Sequence, residues 1–181
     1  MSKVPYREAI GSLMHLALFT RLDILFAVTK LSQYNENPGR EHWLQVKHIL
    51  RYLSKTRSYG LTYKRNNNND INVYCDADWG NDIDDRHSFS GLIVKIAGFK
   101  MFCDNRAAID FSRSNIDRNK SKHIDISYHI VREKLEQGLM SLQYIPTDEN
   151  PADMLTKGLK ATKHHEYVKM LNLRSMNLES N

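Results

Sequence analysis

The first third of the chain carries apolar residues at helical spacing. Over residues 6–19 and 22–34, apolar side chains recur every three or four positions and cover too much of each helix for a single exposed stripe. This pattern predicts two helices buried against each other, with a break near Thr20 and Arg21. A turn signal at residues 37–39 precedes a third helix.

The third predicted helix, over residues 40–54, is amphipathic. Its apolar face holds Trp43, Val46, Leu50 and Leu53. Its basic residues share a narrow arc on roughly the opposite face and are called the basic stripe: Arg40, Lys47, Arg51 and Lys55. A row of cations along one helix suits a phosphate backbone. A solvated helix face explains the same pattern equally well.

Beyond a polar linker at residues 66–70, the pattern changes to strands that alternate with helices. Apolar runs predict strands over residues 71–79, 90–97, 99–103 and 139–145. Helical spacing predicts helices over residues 105–114, 125–137 and 161–173. Asn150 followed by Pro151 is a favourable start for another helix. This order predicts a mixed α/β (α+β) domain behind an all-helical segment.

Composition narrows the class of protein. With 41% hydrophobic and 26% charged residues among 181, the chain can form a packed core. The apolar run at residues 10–19 is about half a membrane span, and no signal-peptide cleavage pattern follows it. Two cysteines cannot form a disulfide framework. We therefore expect an intracellular protein, cytoplasmic or nuclear, with no membrane partner.

The net charge of +5 is distributed unevenly along the chain. It is +7 over residues 1–65, −4 over residues 66–104 and +2 over residues 105–181. A protein that binds a polyanion and holds a cation has such a distribution. Ordinary variation of surface charge is the alternative.

Three acidic residues stand where α/β proteins place functional groups. Asp76 lies on the first predicted strand, Asp104 follows the third strand, and Asp153 lies in the first turn of a later helix. Carboxylates without histidine or cysteine ligands suit hard cations such as Mg²⁺ and Mn²⁺. Two such ions can catalyse phosphodiester hydrolysis. Spacing alone does not separate a metal site from acids that cap helices or lie in turns.

Six segments resemble the carboxyl-terminal part of Copia-type retrotransposon Pol polyproteins. They cover almost the whole chain in the family's order: PYREAIGSLMHLALFTRLDILFAVTKLSQY (5–34), HWLQVKHILRYLSKTRSYGLTY (42–63), YCDADWGNDIDDRHSFSG (74–91), CDNRAAI (103–109), KHIDISYHIVREKLEQG (122–138) and YIPTDENPADMLTKGL (144–159). That part of Pol comprises the last helices of the reverse transcriptase and the RNase H domain.

The resemblance implies an RNase H fold, in which four acids hold two Mg²⁺ ions and the RNA strand of an RNA–DNA hybrid is cut. Asp76 in YCDADW matches the first acid, Asp104 in CDNRAA the third and Asp153 in NPADMLTK the fourth. The second acid, a glutamate, has no counterpart, because no Glu occurs between Asp76 and Asp104. Asp78, on the same strand face as Asp76, is a candidate substitute. A site for Mg²⁺ or Mn²⁺ is therefore expected to be weakened or absent.

The same gap predicts a shortened sheet. The chain passes from the second-strand motif at Ser90 and Gly91 through Gly98 directly to Asp104, so one strand and one helix of the family are missing. The remaining strands can form a sheet in the order second, first, third, fourth, with the first antiparallel to the second and parallel to the third. One face would lose its covering helix, and an exposed apolar face invites a protein partner.

Other residues close to these motifs are candidate contacts to nucleic acid: Asn105, Arg106, His123 and Lys157. A structural role for the histidine and a solvated lysine are the alternatives. Cys75 and Cys103 each precede a candidate site aspartate. They should lie close together on the opposite sheet face, as buried thiols rather than as a disulfide.

The sequence thus predicts four segments: a helical remnant of the reverse transcriptase at residues 1–65, a linker at 66–70, a truncated RNase H-like domain at 71–160, and a C-terminal helix and tail at 161–181. The favoured function is binding of an RNA–DNA hybrid by a catalytically defective domain, without polymerase activity. Two alternatives stay open. One is an active Mg²⁺-dependent ribonuclease H, and the other is a transposon relic or protein-interaction module with no nucleic-acid role.

Overall fold

The computed structural model describes residues 4–62, 72–78, 89–95, 100–113 and 133–176. The chain divides into two units, and each is described by itself. The helical unit combines Met1–Lys64 with Lys157–Asn181, and the sheet unit is Arg65–Thr156. The predicted division at residues 65, 70 and 160 stays a prediction. Residues 157–160 group with the helical unit.

Helices and strands alternate in the order that an α+β protein shows. The helices are α1 (Tyr6–Phe19), α2 (Leu25–Ser32), α3 (Arg40–Lys55), α4 (Arg106–Arg113) and α5 (Ala161–Met170). The strands are β1 (Tyr59–Leu61), β2 (Asn72–Asp78), β3 (Phe89–Lys95), β4 (Lys100–Cys103), β5 (Ser141–Tyr144) and β6 (Leu173–Ser175). Short 3₁₀ helices cover Leu22–Ile24, Thr147–Glu149 and Pro151–Leu155. The combination of helices with a mixed sheet is consistent with the predicted RNase H-like fold.

The two N-terminal helices form a buried pair, as the apolar spacing predicts. Their buried side chains, together with Ile24 of the 3₁₀ helix between them and two residues of α3, make the core of the helical unit: Tyr6, Ile10, Leu13, Ala17, Ile24, Val28, Leu31, Val46 and Ile49. The predicted break is confirmed, because α1 ends at Phe19 and the chain resumes as a 3₁₀ helix at Leu22. Within the break, the buried guanidinium of Arg21 donates two hydrogen bonds to the carboxylate of Asp23, at 3.0 and 2.8 Å.

Helix α3 is present where predicted, and three of its four predicted apolar residues face the core: Val46 is buried, and Trp43 and Leu53 pack against the core. Leu50 is 45% exposed, whereas Ile49 is buried next to Val46. Leu50 is therefore the one predicted residue that lies outside the core-facing side, and Ile49, three residues after Val46, takes its place. All four residues of the basic stripe are exposed.

Two predictions at the ends of the helical unit are wrong. Residues 59–61 do not continue the helical segment and instead form β1, which pairs antiparallel with β6. The predicted helix over residues 161–173 ends at Met170, and Leu173 begins β6. In the turn between α5 and β6, Asn172 has φ 58°, a left-handed conformation that asparagine tolerates. Because β1 and β6 are far apart in sequence, no local pattern of residues indicates that they pair.

The sheet unit contains a four-stranded mixed sheet in the order β3-β2-β4-β5. Strand β2 pairs antiparallel with β3 and parallel with β4, and β4 pairs parallel with β5. The predicted strand order and directions are therefore confirmed. In this register Asp76 lies opposite Gly91, and Cys75 lies beside Cys103.

The face of the sheet that carries Cys75 is exposed along β3. Leu92 and Val94 share this face, through their register with Cys75 and Val73, and are 60% and 56% exposed. Ile93, on the other face, is 4% exposed. An exposed apolar face is what the loss of a covering helix predicts, and a protein partner for it stays a prediction.

Several predicted features lie outside the described residues. These are the linker at 66–70 and most of the helix predicted at 125–137, of which residues 133–136 are helical. Across the ranges that the structure describes, no helix combines the length and apolar character needed to cross a membrane.

Candidate metal centre

Three carboxylates converge at one edge of the sheet unit. Asp76 lies near the carboxyl end of β2, and Asp104 directly follows β4, the parallel neighbour of β2. Asp153 reaches the same place from the 3₁₀ helix Pro151–Leu155. One oxygen from each side chain lies within 4.8 Å of the other two. Asp76 and Asp153 are buried, and Asp104 is partly buried.

Asn150 fixes the 3₁₀ helix against the sheet. Its Oδ1 accepts a hydrogen bond from the backbone N–H of Ala152 at 3.2 Å, and its Nδ2 donates to the carbonyl oxygen of Cys75 at 2.9 Å. Capping by Asn150 with Pro151 in the first position was predicted, and both are observed. The bond to Cys75 was not predicted. It links the 3₁₀ helix that holds Asp153 to Cys75, the residue directly before Asp76.

Thr156 and Gly91 complete the support of Asp76. The hydroxyl of Thr156 donates a hydrogen bond to Oδ2 of Asp76. Gly91, paired with Asp76 across the sheet, approaches the 3₁₀ helix so closely that a Cβ atom there would lie 2.8 Å from the carbonyl oxygen of Ala152. Sequence reasoning missed both roles. The only signal for Thr156 was its place three residues after Asp153 in NPADMLTK.

The donor set suits a hard divalent cation. Mg²⁺ binds oxygen at about 2.1 Å in octahedral geometry, so two of its ligands lie about 3 to 4 Å apart. Three carboxylate oxygens within 4.8 Å of one another are close to the spacing for one shared ion. The side chain of Asp78, the candidate substitute ligand, and the whole of His123 lie outside the described residues.

The two cysteines occupy the opposite face of the same strands. Cys75 and Cys103 are register partners on β2 and β4, and both are free thiols, as predicted. They are partly rather than fully buried, and Sγ of Cys75 lies 3.3 Å from the carbonyl oxygen of Phe102. The adjacent Cys75 thiol lowers the pKa of Cys103 to about 7, and the same interaction, together with burial, raises the pKa of Cys75.

The predicted nucleic-acid contacts are divided between the two units. Asn105 caps α4, because its Oδ1 accepts a hydrogen bond from the backbone N–H of Ala108 at 3.0 Å. The exposed Arg106 places its guanidinium 4.2 Å from the ring centre of Tyr144. Lys157 and the basic stripe belong to the helical unit. The structure therefore brings together the three aspartates, and Asn105 follows Asp104 directly in sequence.

The fold and the three carboxylates define a mixed α/β domain with a candidate cation site at the carboxyl edge of its sheet. Comparison with known proteins shows where such a chain belongs. It is 32% identical to a retrovirus-related Pol polyprotein from transposon TNT 1-94 of Nicotiana tabacum, over 97% of this chain and 17% of the relative. It is 29% identical to a Pol polyprotein from transposon RE1 of Arabidopsis thaliana, over 93% of this chain and 15% of the relative.

Part of the chain is similar to a protein with a different name. It is 42% identical to the secreted RxLR effector protein 161 of Plasmopara viticola, over 54% of this chain and 69% of the effector. No protein-family model and no solved structure matches the chain.

The chain belongs to the family of Copia-type retrotransposon Pol polyproteins, as its motifs predict. It spans only about a sixth of the length of these Pol relatives. The alignment with the tobacco relative extends over 223 positions, more than the 181 residues of this chain. That relative therefore has residues with no counterpart here, which agrees with an internal deletion.

Proposed function

We propose that this Pol fragment binds RNA–DNA hybrids and a divalent cation, Mg²⁺ or Mn²⁺, but is defective in cutting the RNA strand. The observation that carries the proposal is the convergence of Asp76, Asp104 and Asp153 in a chain that has no glutamate between the first two. The cation part rests on the oxygen ligands that the site retains. The defect rests on the ligand that it lacks. A cytoplasmic or nuclear location is part of the proposal.

The retained residues are arranged to hold one cation. Asp76, Asp104 and Asp153 supply three anionic oxygens, and the hydroxyl of Thr156 orients one of them. When bound, Mg²⁺ supplies a more acidic water and offsets negative charge on a leaving oxygen. Each 1.36 kcal/mol of lost transition-state stabilisation slows a reaction about tenfold. Loss of a ligand shared by two ions, at several kcal/mol, therefore lowers the rate about a thousandfold or more.

The basic stripe supplies the proposed contact with the hybrid. Lys47 and Arg51 are exposed on neighbouring turns of α3 and, with Leu44 and Leu50, line a cavity of about 390 Å³. Cations beside an exposed apolar surface suit a sugar–phosphate backbone, in which anionic and apolar parts alternate. Partners of this kind bind with strong salt dependence, because each neutralised phosphate releases counterions.

The binding part is tested with a labelled RNA–DNA hybrid whose fluorescence anisotropy is followed between about 50 and 200 mM salt. The double variant Lys47→Gln/Arg51→Gln should weaken binding about tenfold or more and reduce the salt slope by about 2. Lys169→Gln, which removes an exposed charge from α5, is the matched control and should retain the wild-type slope. Equal losses in both variants would contradict a role for the stripe.

The catalytic part is tested by incubating the same hybrid with the protein in Mg²⁺ and in Mn²⁺. Wild-type protein that is folded by circular dichroism should leave the RNA strand intact, and so should Asp76→Asn. Cleavage that disappears in Asp76→Asn would overturn the proposed defect and establish an active ribonuclease H. Absence of both cleavage and hybrid binding would refute the proposal and leave a transposon relic or a protein-interaction module.

A further inference from the structure

The two cysteines form a pair that the proposed function does not use. They are the only two in the chain, and the sheet register places them side by side on β2 and β4. Both are free thiols and partly exposed. Leu92, the register partner of Cys75 on β3, is 60% exposed on the same face. A small reagent can therefore approach this face of the sheet.

We propose that Cys75 and Cys103 are a modification site, at which a low-molecular-weight disulfide such as oxidised glutathione converts the two thiols into a reversible intramolecular disulfide. Neighbouring strands lie about 4.7–4.9 Å apart. Disulfides join residues whose Cα atoms are about 4.4–6.8 Å apart. Register partners on adjacent strands, such as Cys75 and Cys103, therefore have the Cα separation that a disulfide needs.

The reaction balances with the glutathione disulfide as the oxidant. The sulfur of Cys103 attacks one sulfur of the oxidant, which forms a mixed disulfide and releases one glutathione thiol. The sulfur of Cys75 then attacks the protein-bound sulfur and releases the second glutathione thiol. Two electrons pass from the protein thiols to the oxidant, and the two thiol protons pass to the released glutathione. Excess reduced glutathione reverses both steps.

The bridge has a consequence for the neighbouring carboxylates, and this part rests on the proposed cation site. The Cβ atoms of a disulfide lie about 3.8 Å apart, closer than the spacing of the strands. Each cysteine directly precedes a site aspartate, and Asp76 projects from the opposite face of β2. Drawing the strands together on the cysteine face spreads them on the aspartate face. The oxidised protein should therefore bind the cation more weakly.

The modification is tested on the full chain, first reduced and then equilibrated with mixtures of oxidised and reduced glutathione. Free thiols are alkylated in denaturant after acid quenching and counted by mass spectrometry of the intact protein. The expected product is a monomer that has lost two hydrogen atoms and takes up no alkyl group. The same titration in a high concentration of guanidinium chloride measures how readily the unfolded chain forms the bridge. Folding should lower the required ratio of oxidised to reduced glutathione about tenfold or more.

Two single variants serve as matched controls. Cys75→Ser and Cys103→Ser each keep one thiol and should stop at the glutathione adduct. The proposal is overturned if the folded wild-type protein also stops at an adduct or forms disulfide-linked dimers. It is equally overturned if folding brings no advantage over the denatured chain.

The consequence is measured separately by Mn²⁺ binding to the reduced and oxidised wild-type protein. Affinity should fall about tenfold on oxidation and return on reduction, whereas unoxidised Cys75→Ser should bind as the reduced protein does. Equal Mn²⁺ affinities of the reduced and oxidised protein would refute the effect of the disulfide on the aspartates, but not the modification site itself. If neither form binds Mn²⁺ at Asp76, the proposed cation site fails, and the thiol titration still decides the modification site on its own.

Discussion

Thr156 directly follows the 3₁₀ helix Pro151–Leu155. Its hydroxyl donates a hydrogen bond to Oδ2 of Asp76 in the candidate metal centre. Groups that orient metal ligands affect affinity about 10- to 100-fold. We therefore expect Thr156→Val to weaken Mn²⁺ binding about tenfold, because the isosteric side chain keeps the packing and loses the donor. Thr156→Ser restores the hydroxyl and should restore the affinity. Isothermal titration measures both, and full affinity in the valine variant would show that the hydroxyl does not position Asp76.

Tyr52 gives the helical unit a stability that depends on pH. Its hydroxyl donates a hydrogen bond to Oδ2 of Asp23 at 2.7 Å, and Asp23 is paired with the buried Arg21. Burial, followed by the hydrogen bond to Asp23 and the charge of that carboxylate, raises the pKa of Tyr52 above its usual value. The folded state therefore favours the neutral phenol, so the stabilisation is present below the usual pKa of about 10 and is lost as pH rises above it.

The test compares the urea unfolding of the wild-type protein and Tyr52→Phe at neutral pH and above about pH 10. At neutral pH the variant should be less stable by about 1 kcal/mol, because it lacks the hydrogen bond to Asp23. Above about pH 10 the difference should shrink, since the wild-type phenol ionises on unfolding. A constant difference at both pH values would contradict the assignment of this pH dependence to Tyr52.

At the scale of elements, the contact between β3 and the 3₁₀ helix explains why position 91 is a glycine. A Cβ atom there would lie 2.8 Å from the carbonyl oxygen of Ala152 and 2.9 Å from Cβ of Leu155. Gly91→Ala should therefore destabilise the sheet unit by about 1–3 kcal/mol, the usual cost of overpacking. Hydrogen exchange of the β2 and β3 amides measures it.

Gly11→Ala is the matched control, because a Cβ atom at Gly11 meets nothing within 4 Å on the exposed side of α1. It should stabilise the helix by roughly 0.5–1 kcal/mol. Similar effects of the two substitutions would refute the packing explanation for Gly91.

Elements with local signals could be predicted from the sequence, and those that depend on distant partners could not. The spacing of apolar residues located α1 and its break at Thr20, and family motifs gave the sheet order. The same reasoning placed Asp76, Asp104 and Asp153 in one site, and the structure brings them together. It missed β1 and β6, whose pairing joins residues more than a hundred positions apart. It also chose Leu50 over Ile49 for the buried face of α3, because both are apolar and a shift of one residue rotates the helix by about 100°.

At the scale of the whole chain, the C-terminal residues belong to the unit formed by the N-terminal helices. Leu173, 2% exposed, is the register partner of Leu61, and Tyr167 and Val168 of α5 are also buried. Residues that follow the sheet unit in sequence therefore contribute to the stability of the helical unit. Leu173→Ala should therefore destabilise the helical unit by about 2–5 kcal/mol, as buried leucine truncations do.

Hydrogen exchange resolved by residue separates the effect of Leu173→Ala on the two units. Exchange should accelerate in α1, α2 and α3, since the lost contacts of Leu173 lie within their unit, and should stay unchanged in β2 and β4. Arg174→Ala, at the exposed neighbouring position, is the control and should change stability by no more than about 0.5 kcal/mol. Equal acceleration in both units would show that they unfold together. The same result would mean that the fragment's candidate metal centre and its basic stripe are lost in a single step.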